Sequence, residues 1–408
     1  MRPRRLATAL ALTLTSAFAV TACAASGSPA PSAAGTSGAR PAPASGGSSQ
    51  DAALKPRNVS PQTVGTANLA HVPGRPSASP RHSSSVLASY GTGIAAVPAA
   101  GQPVSTAHPD HVIGNGSPAS CTSQAVVDAV AAGGVITFSC GPNPVTIGMQ
   151  ATAKVRNTSA EVVLDGQGKV TLSGDGARRI LYQDTCDPAQ TWASSHCQDQ
   201  ATPHLIVQNL TLADGNSTGQ TYDGGGGGAI FDRGGQLTVI NSKFTGNRCD
   251  STGPDLGGAA IRALSQYQNQ PVYVVGSTFT GGVCSNGGAL SSIGVSWTVI
   301  NDIMTGNQAI GDGANPAQAG TPGGGSGGAI YNDGNTYTLT VDGSVISGNS
   351  AREGGGAIFY VSNDRTGTMQ LEHSQLRGNP NAGFQTSGFP GIFFLGRGQP
   401  SLTSTTDS

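Results

Sequence analysis

Between Leu237 and Asn379 the apolar residues keep a short alternation that stops and restarts. Leu237 and Val239 alternate with polar residues, Asn241-Ser242 interrupts them, Phe244 stands alone, and Gly246-Asn247 closes the run. A loop of variable length then leads to two glycines, an alanine and an aliphatic residue, and the cycle begins again. That glycine motif stands as Gly227-Gly228-Ala229-Ile230, Gly257-Gly258-Ala259-Ala260-Ile261, Gly287-Gly288-Ala289-Leu290, Gly327-Gly328-Ala329-Ile330 and Gly355-Gly356-Ala357-Ile358. The closing motif has its apolar anchor at Phe244, Phe279, Met304, Ile346 and Leu376, spaced 25 to 42 residues apart. Period-two alternation in short runs predicts strands, and self-similarity at this spacing predicts stacked coils that cannot bury their apolar faces singly. Asn209, Asn241 and Asn301 stand at corners, where asparagine tolerates left-handed backbone. Asn247, Asn307, Asn349 and Asn379 are expected to stack as an internal amide ladder, interrupted at Gly282.

Upstream, the pattern predicts strands over 135–138, 162–164, 170–172, 205–207 and 210–212. A short amphipathic helix over 124–132, capped by Thr122 or Ser123 and ended by Gly133-Gly134, precedes them. Such a helix covers the first coil's open core and its unpaired strand edge.

The paired motifs Gly-Gly-Ala-(Ile/Leu) and Phe-x-x-Asn, in fixed order, resemble the repeats of the polymorphic membrane proteins. The coil pattern resembles the right-handed parallel β-helix of the pectin-lyase-like superfamily. The resemblance covers roughly residues 121–395. It implies an all-β, single-stranded right-handed parallel β-helix with an N-terminal capping helix. It implies no single activity, because that superfamily holds lyases, hydrolases, phage spikes and adhesins. The chain departs from the polymorphic membrane proteins after Leu395, where a polar tail, 396–408, stands in place of a membrane barrel, so autotransport is not expected.

Composition adds an address. Of 408 residues, 61 are Gly, 11% are charged and 5% aromatic, which suits a glycine-punctuated strand solenoid better than a helical globule. Residues 1–22 read as a signal peptide: Arg2, Arg4 and Arg5, then an apolar stretch over 6–20. It ends Val20-Thr21-Ala22-Cys23, which resembles the bacterial lipobox, so Cys23 is the expected lipidation site. A diacylglyceryl anchor would hold the chain on the outer face of a bacterial membrane. Residues 23–120, rich in Ala, Pro, Ser and Gly, read as a disordered stalk, with the order of 81–120 left open. His108-Pro109-Asp110-His111 within it reads as a polar loop rather than a metal site. Residues 121–408 carry 13 Lys and Arg against 20 Asp and Glu, and this acidic balance gives no reason to expect nucleic acid as a partner. Oligomeric state is open.

The six cysteines after Cys23 are an even count in an exported chain, so disulfides are expected. Cys249 and Cys284 each follow their coil's Phe by five residues and so share a corner of adjacent coils. Cys121 with Cys140 brackets the cap, and Cys186 with Cys197 closes a loop.

Chemistry is thinner. If Ile230, Ile261, Leu290, Ile330 and Ile358 point inward, Phe231, Arg262, Ser291, Tyr331 and Phe359 point outward, a column suited to a sugar-binding face. Most aspartates precede glycine, which is turn chemistry. The residual catalytic candidates are Asp232, Arg233, Asp333, Arg352 and Glu353. The leading expectation is a binding or adhesin-like scaffold for polysaccharide or another surface ligand, without cofactor. The alternatives are a polysaccharide lyase, which would need Ca²⁺, a glycoside hydrolase, or a structural envelope spacer.

Overall fold

A computed structural model describes residues 91–408, except 192–194, 221–224 and 316. The expected signal peptide, Cys23 and most of the expected stalk lie outside the described residues. One coil illustrates the rest. Ile230–Arg233 runs into Gln236–Ile240 across Gly234-Gly235, and Asn241-Ser242 turns the chain into Lys243–Thr245. A long loop then returns it to Ile261–Ala263, which pairs in parallel beside Ile230–Arg233 with Ile230 opposite Ile261. Repetition builds three long sheets, all parallel: sheet I with ten strands, sheet II with nine and sheet III with eight. A fourth, three-stranded sheet forms within the loops that join sheet II to sheet III. The chain is a parallel β-helix.

The core fills because each sheet turns one face inward. Ile230, Leu237, Val239 and Phe244 all lie in one apolar cluster that runs the length of the coils. Equivalent residues stack from coil to coil, as Phe244 does on Phe279 at 4.6 Å between ring centres. Asn209, Asn241 and Asn301 take positive φ at their corners, as their residue type predicts. The amide ladder is continuous through the last three asparagines. Asn307 Nδ2 donates to Asn349 Oδ1 at 2.8 Å, and Asn349 Nδ2 to Asn379 Oδ1 at 3.0 Å. At Gly282 only the backbone N–H remains to meet Asn307 Oδ1, so the side-chain ladder breaks there.

The cap is the helix Ser123–Ala132. Thr122 Oγ1 accepts from the Ala125 N–H at 3.2 Å, Gly133 ends it at φ 81°, and Val126 and Val130 are buried beneath it. The three cysteine pairs sit as expected, with Cα separations of 5.7 Å for Cys121–Cys140, 4.9 Å for Cys186–Cys197 and 4.8 Å for Cys249–Cys284.

Both ends of the expected β-helix need correction. The end of the expected stalk, from Gly91 onward, packs on the coils. His111–Ile113 pairs with the strand Gly134–Phe138, and Val104 sits on Val163, Ile206 and Ile240. Asp110 belongs to this packing, its carboxylate accepting from the Val135 N–H at 2.8 Å, and His111, read as part of a polar loop, begins a strand instead. The expected polar tail also continues the fold. Ser401–Thr403 and Thr406–Asp407 extend sheets I and II by one strand each. Composition misleads in both places because the apolar partners belong to neighbouring coils. Among the described residues no helix is long and apolar enough to cross a membrane.

Candidate functional site

The outward column of sheet III has the expected register. Phe231, Arg262, Ser291, Tyr331 and Phe359 lie opposite one another in successive coils, with Tyr182 before them and Phe393 after. The irregular Ala259-Ala260-Ile261 coil therefore keeps Arg262 in the column. The column is not an exposed face, however: these five side chains are 0 to 1% exposed. The expectation of an open ligand surface is corrected.

Two causes seal it. The first is stacking along the helix axis, since coils about 4.8 Å apart bring like rings face to face. Tyr182 stacks on Phe231 at 5.4 Å, Tyr331 on Phe359 at 5.0 Å, and Phe359 on Phe393 at 5.2 Å. The second is cover by loops. Arg179 lies 4.8 Å over the Phe231 ring and donates to the carbonyls of Gly226 and Gly227 and to Gln220 Oε1, pulling that glycine-rich loop down. Arg262 Nη2 donates to the Asp255 carbonyl, Asn315 Nδ2 to Tyr331 Oη, and Phe384 packs edge-on to Phe359.

Between the two aromatic stacks the column holds Arg262 and Ser291, and beside Arg262 the face opens. A pocket of about 480 Å³ is lined by Gln198, Arg233, Asp255, Arg262, Leu264, Ser265 and Ile293. Arg262 Nη1 donates to Ser291 Oγ, but its Nε and the neighbouring Ser265 Oγ are buried with no partner among the described residues. Burial brings the Arg262 guanidinium down to a pKa of about 10, against the pull of Tyr331, Asp255 and Asp333. It therefore stays charged at neutral pH.

The five residual catalytic candidates are not brought together. Asp232 points into the coil, is 0% exposed, and accepts from Gln183 Nε2 at 2.9 Å and from Gln266 Nε2. Burial pushes its carboxyl well above the ordinary range. No substrate reaches it. Arg233 and Asp333 share an outward column, but the coils of Leu264 and Ile293 lie between them, a separation of about 14 Å. Asp333 accepts from the Gly334 N–H at 2.7 Å and from Asn363 Nδ2 at 3.1 Å, and burial raises its carboxyl. Glu353 Oε1 accepts from the Gly313 N–H at 3.2 Å, and Arg352 is exposed beside it. Of the candidates only Arg233 and Arg262 reach the pocket. The rest of its lining was missed because it combines the sheet III strand end at Ile293 with chain that leaves the strands, Gln198, Asp255, Leu264 and Ser265, drawn from several coils.

One metal-like grouping occurs among the described residues: Asp342, Glu372 and His373 each offer a ligand atom within 4.8 Å of the others. It lies where sheet I turns into sheet II, away from the pocket, with His373 Nδ1 3.0 Å from Asp342 Oδ1. Comparison of the chain with protein-family models, with curated proteins and with solved structures finds no match to any of the three.

Proposed function

We propose that this chain is a surface-anchored β-helix lipoprotein that binds a carboxylate-bearing polysaccharide, or another acidic surface ligand, in the pocket at Arg262. The pocket carries the reading. Arg262, whose buried Nε has no partner among the described residues, Ser265, whose hydroxyl has none either, and a second arginine, Arg233, line the same concavity. Planar, bidentate recognition of a carboxylate is what such a group does best. The address rests on Arg2, Arg4, Arg5 and Cys23 in their leader context, and three cysteine pairs suit an oxidising exterior. The likeness of the repeats to polymorphic membrane proteins, and of the coils to the pectin-lyase-like superfamily, supports a surface role without naming a chemistry. No arrangement of the described residues favours the lyase or hydrolase reading, because Asp232 is sealed inside the coil and Asp333 stands far from Arg233.

The oxidised mature chain, passed over uronate-containing and neutral glycans with and without Ca²⁺, should be retained on the uronates alone. Arg233→Gln should weaken retention by about tenfold, the size of one charge-assisted contact at a partly open site. Equal retention on neutral glycans would overturn the site, and new absorbance from unsaturated sugar ends would make the chain a lyase. Silence on every glycan would leave a protein ligand or an envelope spacer. Separately, intact-mass measurement should find diacylglycerol on Cys23; an unmodified mature chain beginning elsewhere contradicts the anchor.

A further inference from the structure

Residues 91–110 run over the outside of sheet I against the order of the coils. Starting at Gly91 they pass the coils of Asn301, Val275, Ile240, Gln208, Asp165 and Val135 in turn, about 24 Å of helix axis. Two side-chain amides hold this strap, each by a pair of bonds to one backbone unit. Asn301 Oδ1 accepts from the Ala95 N–H at 2.6 Å while its Nδ2 donates to the Ala95 carbonyl at 2.8 Å. Gln208 Oε1 accepts from the Val104 N–H at 3.0 Å while its Nε2 donates to the Val104 carbonyl at 2.9 Å. The Thr92 N–H adds a bond to the Asn301 carbonyl at 2.8 Å, and Thr106 Oγ1 one to Asp165 Oδ2 at 2.8 Å.

The corner at Asn301 needs no amide for its own turn. The neighbouring coils place glycine there, Gly276 at φ 58° and Gly343 at φ 62°, beside Asn301 at φ 60°. What asparagine adds at this coil is its amide's bonds to the strap, the pair to Ala95 and a longer one, at 3.4 Å, accepted from Thr92 Oγ1. Past Asp110 the attachment changes character: His111–Ile113 enters a continuous ladder, and Cys121–Cys140 closes the segment that follows.

We propose that residues 91–110 are a releasable clamp, through which tension on the chain preceding Gly91 peels the strap from sheet I before any coil opens. Discrete clips opened one after another yield more readily than coils hydrogen-bonded along both neighbours. A chain held at its N-terminal side and bound to a ligand at sheet III would be stretched between those points, and the clamp gives slack there. Full release frees up to about 65 Å of chain at full extension. The clamp stands on these hydrogen bonds and does not depend on acylation at Cys23 or on which ligand the pocket takes.

The test is single-molecule pulling on the oxidised full chain, between its N-terminus and a handle introduced at the exposed Lys243 position. The first transition should be reversible and no longer than the strap. Asn301→Gly, which keeps a backbone type that neighbouring coils already use, should raise the released population at a fixed force at least tenfold. Ala95→Pro, which removes one clip donor from the strap itself and leaves every coil intact, should act in the same direction. The force at which coils unfold should be the same in all three proteins. A first transition longer than the strap, or an unchanged release in both variants, overturns the clamp.

Discussion

Asp302→Ser should stabilise the protein at neutral pH, by about 1–3 kcal/mol, the range for removing a buried polar group that lacks a partner. The corner after sheet I carries a buried serine at 242, 277, 344 and 374, and the residues at this corner bond to one another from coil to coil. The Ser242 N–H donates to Ser277 Oγ at 3.0 Å, the Asp302 N–H to Ser344 Oγ at 3.0 Å, and the Ser344 N–H to Ser374 Oγ at 3.0 Å. Asp302 takes the place of a serine in the middle. Its Oδ1 accepts from the Ser277 N–H at 2.6 Å, but its buried Oδ2 has no hydrogen-bond partner among the described residues. Burial pushes its carboxyl well above the ordinary carboxylate range.

The pH dependence follows from that direction. A carboxyl whose folded value lies above its unfolded value binds its proton more tightly in the folded state, so its contribution is most favourable below the ordinary carboxylate range. It is lost as pH rises from about 4 through the raised folded value. Wild-type stability should therefore decline over that interval more steeply than that of Asp302→Ser. Asp232, raised in the same direction, keeps part of the slope in both proteins. Urea unfolding at a series of pH values measures this. Equal stabilities at pH 7, or a wild type that gains stability over the interval relative to the variant, would show that Asp302 is better accommodated than its surroundings indicate.

Asn349→Leu should cost about 3–5 kcal/mol, the largest single loss expected in the coils. Asn349 Oδ1 accepts from both the N–H and Nδ2 of Asn307, and its Nδ2 donates to the Met304 carbonyl at 2.9 Å and to Asn379 Oδ1. Leucine has nearly the same size and no polar atoms, so several buried donors and acceptors lose their partner at once. Each unsatisfied group costs about 1–3 kcal/mol, and partial relaxation keeps the total below their sum. Asn379→Leu should cost less. Asn379 ends the ladder, and its Nδ2 makes one bond, to the Ile346 carbonyl at 2.9 Å. Thermal unfolding of the oxidised variants ranks them; equal losses would mean that the ladder does not act as a connected network.

Much of this was legible in the chain because a β-helix writes its structure locally. Inward aliphatics repeat from coil to coil, with positive-φ asparagines and the amide column recurring in several of them, so the register of Phe231, Arg262, Ser291, Tyr331 and Phe359 could be read before any coordinates. Cysteine pairing was readable for the same reason: Cys249 and Cys284 occupy one corner of adjacent coils. Asp302 was readable too, since aligning Asn301-Asp302 with Asn241-Ser242 exposes the substitution. Burial of the outward column was not legible. Its covers are Gln220, Asp255, Asn315 and Phe384, which lie in loops whose lengths follow no repeat. The strap was hidden more deeply. Its clips, Asn301 and Gln208, stand 206 and 104 residues from the backbone they hold, and nothing in the Ala-, Gly- and Pro-rich composition of residues 91–110 points to them.

The most direct test is the affinity of a short oligouronate for three oxidised proteins: wild type, Arg262→Lys and Phe359→Leu. Lysine keeps the charge at the pocket but loses the planar donor pair, whereas Phe359 lies in the sealed stack away from the opening. The site described above predicts measurable wild-type binding, a loss of about tenfold or more for Arg262→Lys, and a Phe359→Leu affinity within about twofold of wild type. No wild-type binding, or affinity lost in Phe359→Leu and kept in Arg262→Lys while both remain folded, would contradict it.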